Sequence, residues 1–132
     1  MKKLLFLALL CLSFVAAQAA NIFNKTGCPI KITPVCYDPV TCTSFPCGPV
    51  IVVPPGAVLP LPPPCACPVP FLQGYTVCWQ TPPCAGICTN VSDAAGGPCA
   101  NFPIQSMLPP CPPCAINPVN IFWTAAGDMV IR

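Results

Sequence analysis

The 132-residue chain contains no histidine and no glutamate, and its only carboxylate side chains are Asp38, Asp93 and Asp128. Without histidine no Ser–His–Asp arrangement can be built, because the group that exchanges a proton near neutral pH is missing. A two-carboxylate hydrolase needs two acids that converge. Asp38 precedes a proline in a turn, Asp93 lies in a polar segment and Asp128 opens the last apolar segment. Each reads as a turn or solvated position, so the sequence predicts no enzyme, no catalytic residue and no cofactor. Charge is scarce too. Beyond residue 20, Lys25, Lys31 and Arg132 balance the three aspartates. That leaves no basic stripe for nucleic acid and no cationic amphipathic segment for an anionic membrane surface. A surface of low net charge has little colloidal repulsion and favours self-association.

Helix-forming stretches are missing as well. The 22 prolines all lie beyond residue 20, and proline fixes φ and removes a backbone donor, which breaks helices and restricts strands. Beyond residue 20, no twelve-residue window combines helical apolar spacing with freedom from proline. Disorder requires low hydrophobicity or high charge, whereas 55% of the chain is hydrophobic and 6% charged. Short strands joined by proline-rich loops are the remaining solution.

Cysteine is what the chain has in abundance. Lys2 and Lys3, the apolar run Leu4 to Ala17 and the small-x-small site Ala17-Gln18-Ala19 form a secretory signal pattern. The run is too short for the roughly 30 Å of a bilayer core. The sequence therefore predicts a signal peptide over 1–19, which removes Cys11, and a single domain over 20–132 with no membrane span after processing. Twelve cysteines remain: Cys28, Cys36, Cys42, Cys47, Cys65, Cys67, Cys78, Cys84, Cys88, Cys99, Cys111 and Cys114. An even set behind a secretory signal reads as a disulfide framework in an oxidising compartment, whether extracellular, cell-surface or periplasmic. Its connectivity does not follow from spacing.

Three cysteine groupings carry a sharper alternative. Cys111-Pro112-Pro113-Cys114 has thioredoxin-type spacing but no βαβ context, so structural bridging is preferred. Cys65-Ala66-Cys67 and Cys84-x3-Cys88 could supply thiolates, yet only Cys111/Cys114 has the C-x2-C spacing of zinc sites. No metal ligand is assigned. Cys65 and Cys67 are too close in an extended chain to bond each other readily, so each should reach a different segment. Asn24-Lys25-Thr26 and Asn90-Val91-Ser92 match the N-glycosylation pattern.

Seven strands are expected: 21–25, 29–37, 49–53, 57–61, 71–80, 119–124 and 128–132. Ile30 and Ile32 alternate with Lys31 and Thr33, the period of a strand. The first two segments flank a turn at Thr26-Gly27. The unbroken apolar run 49–53 suggests burial on both faces. It ends in a Pro54-Pro55-Gly56 turn, with glycine at the position that needs positive φ. The segment 57–61 reads as an edge strand, Gly74 as a bulge, and Ala125-Ala126-Gly127 as a hairpin loop. The stretch 81–118 reads as loops pinned by bridges. The fold class is all-β: a small disulfide-rich β-sandwich or open barrel of about seven short strands with proline-rich loops. Tyr75, Val77 and Trp79 share one face, as do Val119, Ile121 and Trp123. These aromatics are assigned to the core rather than to a carbohydrate platform, and Phe122, opposite Trp123, is the candidate surface contact.

The opening Ile22-Phe23-Asn24-Lys25-Thr26-Gly27-Cys28-Pro29-Ile30-Lys31-Ile32, with Val53-Pro54-Pro55-Gly56, resembles a group of small, uncharacterised, secreted bacterial Cys/Pro-rich β proteins. They share an I-x-N-x-T-G-C hairpin and a V-P-P-G turn. The resemblance implies an all-β secreted domain and no known activity. The opening is also similar to the first hairpin of thaumatin-like sandwiches, whose acidic cleft three dispersed aspartates cannot supply. The function expected is a secreted or cell-surface structural or interaction protein. It would act by self-assembly or by binding another extracellular protein or a glycan. The alternatives are a secreted inhibitor or toxin-like effector using loops 81–85 or 108–114, and a thiol–disulfide protein using Cys111 and Cys114.

Overall fold

A computed structural model describes residues 19–93 and 98–132. The expected signal segment lies outside the described residues, apart from Ala19. Ten strands form: β1 Asn21–Asn24, β2 Ile30–Tyr37, β3 Ser44–Pro46, β4 Ile51–Val53, β5 Val58–Pro60, β6 Leu72–Trp79, β7 Cys88–Ser92, β8 Ser106–Leu108, β9 Val119–Trp123 and β10 Met129–Ile131. They make two five-stranded sheets. Sheet A runs β5-β1-β10-β9-β8; sheet B runs β3-β2-β6-β7, with β4 also paired to β2. The protein is thus an all-β, disulfide-rich fold, as its sequence predicts. All seven expected strands are present, and β3, β7 and β8 are additional. Among the described residues no helix is long and apolar enough to cross a membrane.

The two sheets face each other across one core. Sheet A contributes Ile22, Leu108, Ile121, Met129 and Ile131, and sheet B contributes Ile30, Ile32, Val53, Tyr75, Val77, Trp79 and Val91. The alternation of β2 and β6 selects this face, since residues two apart share a side of a strand. Trp79 keeps its one polar atom satisfied inside the core, its Nε1–H donating to the Pro109 carbonyl at 2.8 Å. Trp123 is half-buried against the same core, its Nε1–H donating to the Ser92 carbonyl at 2.8 Å.

Four expectations about individual segments are corrected. First, β1 and β2 do not pair across Thr26-Gly27. β1 pairs with β5 and, in parallel, with β10, while β2 pairs with β3, β4 and β6. The connection crosses from one sheet to the other, and buried Asn24 holds it. The Asn24 Nδ2 donates to the carbonyls of Cys28, Val53 and Pro54 at 2.9, 2.9 and 3.1 Å. Its Oδ1 accepts the Thr26 N–H at 3.0 Å. Asn24 is only 1% exposed, so the first glycosylation pattern is spent on the fold.

Second, the 49–53 run is not buried on both faces. β4 is an edge strand in which Val53 is buried and Val52 exposed. It shares the edge of β2 with β3, in succession. The Pro34 carbonyl accepts the Cys47 N–H at 3.0 Å on that edge. Pro34 therefore directs its missing donor toward the gap between β3 and β4, where a central-strand proline is tolerated.

Third, Gly74 is not a bulge. It sits in unbroken register opposite Val35 and Ser92. A Cβ there would meet Phe102 Cδ1 at 2.8 Å. The glycine seats Phe102, whose ring stacks on Tyr37 with centroids 4.2 Å apart. Val35, Tyr37, Cys99 and Phe102 form a second, smaller core on the back of sheet B, under a segment tied down by Cys42–Cys99.

Fourth, 81–118 is not loop throughout, because it contributes β7 and β8. Thr89 and Ser106 join their hydroxyls at 2.6 Å, and Ser92 N–H donates to the Pro103 carbonyl at 2.9 Å. These contacts bring the free edges of the two sheets together.

Turn chemistry follows the sequence closely. The Ala57 N–H reaches the Pro54 carbonyl at 3.2 Å with Gly56 at φ 70°, the glycine-requiring geometry of a type II turn. Gly127 takes φ 85° in the β9–β10 hairpin.

Candidate interaction face

All twelve predicted cysteines are paired: Cys28–Cys114, Cys36–Cys67, Cys42–Cys99, Cys47–Cys65, Cys78–Cys88 and Cys84–Cys111. Cys65 and Cys67 reach different partners, as expected from their spacing. Cys111 and Cys114 are bonded elsewhere, in separate bridges, so the thioredoxin-type spacing holds no redox pair. The Cys36, Cys47 and Cys67 sulfurs cluster within 4.8 Å of one another, but each is committed to a bridge. The loops 81–85 and 108–114 are fastened together by Cys84–Cys111.

The remaining polar candidates are occupied locally. The Asp38 carboxylate accepts the N–H of Val40 at 2.8 Å and of Thr41 at 3.3 Å. These backbone bonds, led by that of Val40, hold its pKa below the usual value. Asp128 accepts the Asn21 N–H at 2.8 Å. Asn90 Oδ1 accepts the Thr76 hydroxyl at 2.8 Å. Tyr75 is buried in the main core, and burial pushes its hydroxyl up to about 12, against the smaller lowering effect of the Gln73 amide.

The surface that stands apart is the outer face of sheet A. Strand alternation sends Ile22, Met129, Ile131, Ile121 and Trp123 inward, and therefore Phe23, Val130 and Phe122 outward. Register lines these up. Val58 opposes Phe23, Phe23 opposes Val130, and Val130 opposes Phe122. One apolar row thus crosses four adjacent strands. Val58 is exposed at its end, Phe23 and Phe122 are half-buried, and Val130 is covered between them.

A second row runs beside it. Met107 opposes Asn120, and Asn120 exchanges backbone hydrogen bonds of 2.7 and 2.9 Å with Arg132. Arg132 stands diagonal to Phe122 and lays its guanidinium over that ring, 4.9 Å from the centroid. A groove of about 680 Å³ opens beside Phe122, lined by Gln105, Met107, Asn120, Phe122 and Arg132 among others.

The sequence singles out Phe122, and the structure places it, half-buried, at the β9 end of the first row. Sequence reading missed Phe23, Val130, Asn120 and Arg132. The alternation Asp128-Met129-Val130-Ile131-Arg132 carried a signal for the last strand, but which strands neighbour it could not be read from one segment. No family model, no curated protein and no solved structure matches the chain.

Proposed function

We propose that this chain is an extracellular structural or interaction domain that acts by binding, through the outer face of sheet A. The single observation behind this is the row Val58, Phe23, Val130 and Phe122 on the outer face of sheet A, in which exposed Val58 and half-buried Phe23 and Phe122 flank covered Val130, while the opposite face is fully used by the core. Contiguous exposed apolar surface on a small protein marks contact sites. Low net charge removes the repulsion that would keep such faces apart. The six bridges fit secretion into an oxidising compartment, in keeping with the signal pattern at 1–19. A role in binding rather than catalysis is supported by the absence of histidine and glutamate and by the local commitments of Asp38 and Asp128.

Blunted sheet edges direct contact to the face. β3 and β5 each end in proline, at Pro46 and Pro60, and edge prolines oppose strand-to-strand addition. The experiment is sedimentation velocity, together with pull-down from the native secreted fraction. It compares the native chain with a Phe23→Ser, Phe122→Ser double variant. Native self-association or partner capture, lost in the variant while all six bridges stay intact, is the expected outcome. A native chain that is monomeric and captures nothing, or a variant that behaves like it in both assays, overturns the reading.

A further inference from the structure

We infer that the groove beside Phe122 is a binding subsite for the carboxylate of an acidic sugar, with Arg132 as its anchor. The inference rests on the interaction-face reading and names the ligand class for one end of it.

Arg132 is the chain's only arginine. Its side chain is exposed, and its one partner among the described residues is the Phe122 ring. Stacking on an aromatic face orients the guanidinium plane while leaving its N–H edges free, the arrangement suited to bidentate capture of a carboxylate. No aspartate side chain is its partner among the described contacts. Asp128 sits at the opposite end of β10, held by Asn21. Asp38 is engaged in the turn after β2, and Asp93 follows β7 on sheet B. Lys25 leaves β1 beside the end of β10, its N–H donating to the Ile131 carbonyl at 2.8 Å. Two of the three cations beyond residue 20 therefore lie at this end of sheet A, and the aspartate of the same sheet lies at the other.

The rest of the groove selects among anions. Gln105 and Asn120 line the same groove as Arg132, and their amides can both donate to and accept from hydroxyls. The neighbouring half-buried Phe23 and Phe122 add apolar surface at its side. A hexuronate presents the same three features: a carboxylate, a ring of hydroxyls and an apolar C–H face. An acidic peptide binding by strand addition needs an open sheet edge, and β8, the strand flanking the groove, turns its outer edge toward β7. The observations therefore favour the sugar acid.

The test is isothermal titration of the intact, oxidised protein with de-esterified oligogalacturonate at low ionic strength, free of divalent cations. Fully methyl-esterified oligogalacturonate and oligo-aspartate are run beside it. The expected result is saturable binding of the free acid that weakens at least tenfold on esterification and at least tenfold in Arg132→Ala. Arg132→Lys should recover part of the loss, since it restores charge without the planar fork. Because Arg132 is exposed, these variants should keep all six bridges, which intact mass verifies. No binding of the free acid, equal binding of the ester, or an unchanged Arg132→Ala overturns the inference. Oligo-aspartate binding as tightly as the uronate also overturns it, by assigning the groove to acidic peptides. Failure here with Phe23- and Phe122-dependent association retained removes the subsite alone. Failure of both removes the face as well.

Discussion

Gly74 shows how one missing Cβ organises a neighbourhood. Its φ is unremarkable for a strand, so conformational freedom is not what position 74 needs. The requirement is space, because a Cβ would lie 2.8 Å from Phe102 Cδ1 and 3.0 Å from the Val91 carbonyl oxygen. Phe102 is held by its stack on Tyr37, and the carbonyl belongs to β7, so neither yields cheaply. Gly74→Ala should cost about 1–3 kcal/mol, the usual penalty for overpacking, read as a lower urea midpoint with bridges intact. Adding Phe102→Leu should recover part of that loss, because contacting sites are not additive. Equal stability of Gly74→Ala and the native chain would show that Phe102 is free to move. Gly74 was legible as a special glycine in an aromatic strand, but its reason was not, since Phe102 lies 28 positions away in a segment beyond that strand.

The two tyrosines make stability depend on pH at the alkaline end. Burial raises the pKa of Tyr75 to about 12 and shifts that of Tyr37 in the same direction. A hydroxyl whose folded pKa exceeds its unfolded value of about 10 favours the folded state fully below pH 10. That contribution is lost as pH rises from 10 toward 12. Absorbance at 295 nm should therefore show the tyrosines ionising together with unfolding rather than near pH 10. Tyr75→Phe should reduce the fall of stability across this window without abolishing it, because Tyr37 remains. Ordinary titration of both tyrosines near pH 10 in the folded protein would contradict their burial.

At the scale of elements, the seven longer or more strongly patterned strands were legible and three were not. β2 and β6, eight residues each, declare themselves by alternation at Ile30-Lys31-Ile32-Thr33 and Tyr75-Thr76-Val77-Cys78-Trp79. β7 reads Cys-Thr-Asn-Val-Ser, β8 has three residues, and β3 includes Pro46. Such segments take strand geometry from the register of a partner rather than from their own apolar pattern. The same limit hid the second core, because Val35 and Tyr37 lie on the back of sheet B and pack there against Cys99, Phe102 and Cys42, distant in the chain. Cys42–Cys99 is the covalent tie holding that cover. A Cys42→Ser, Cys99→Ser variant should keep the sheet-to-sheet core, since no other bridge depends on it. The variant should expose Val35, Tyr37 and Phe102. Dye binding to exposed apolar surface should rise, amide exchange should quicken around 99–102, and the protection of β2 and β6 should persist. Global loss of protection would show instead that the two cores fold as one unit.

At the scale of the molecule, composition announced crosslinking but not its wiring, because bridge partners are set by which sheet each strand joins. Cys28–Cys114 links the corner between the sheets to the β8–β9 connection over a sequence separation of 86, whereas Cys78–Cys88 joins opposed residues of β6 and β7 over 10. Loop-closure entropy for a single crosslink is about 4.6 kcal/mol for the first and about 2.7 kcal/mol for the second. The remaining bridges shorten the longer path, which narrows the gap but preserves the order. Paired serine replacement should therefore destabilise the protein more at Cys28 and Cys114 than at Cys78 and Cys88. Ease of reduction follows access rather than loop length. Cys88 is exposed, while Cys84 and Cys111 are 4% and 0% exposed. Stepwise reduction with alkylation and peptide mapping should label Cys78 and Cys88 first and Cys84 and Cys111 last. Labelling of Cys84 and Cys111 ahead of Cys78 and Cys88 would mean that the 81–85 and 108–114 loops open more readily than the β6–β7 ladder. The rigid surface would then belong to the sheets alone, which would weigh against an inhibitor built on those loops and in favour of contact through the outer face of sheet A.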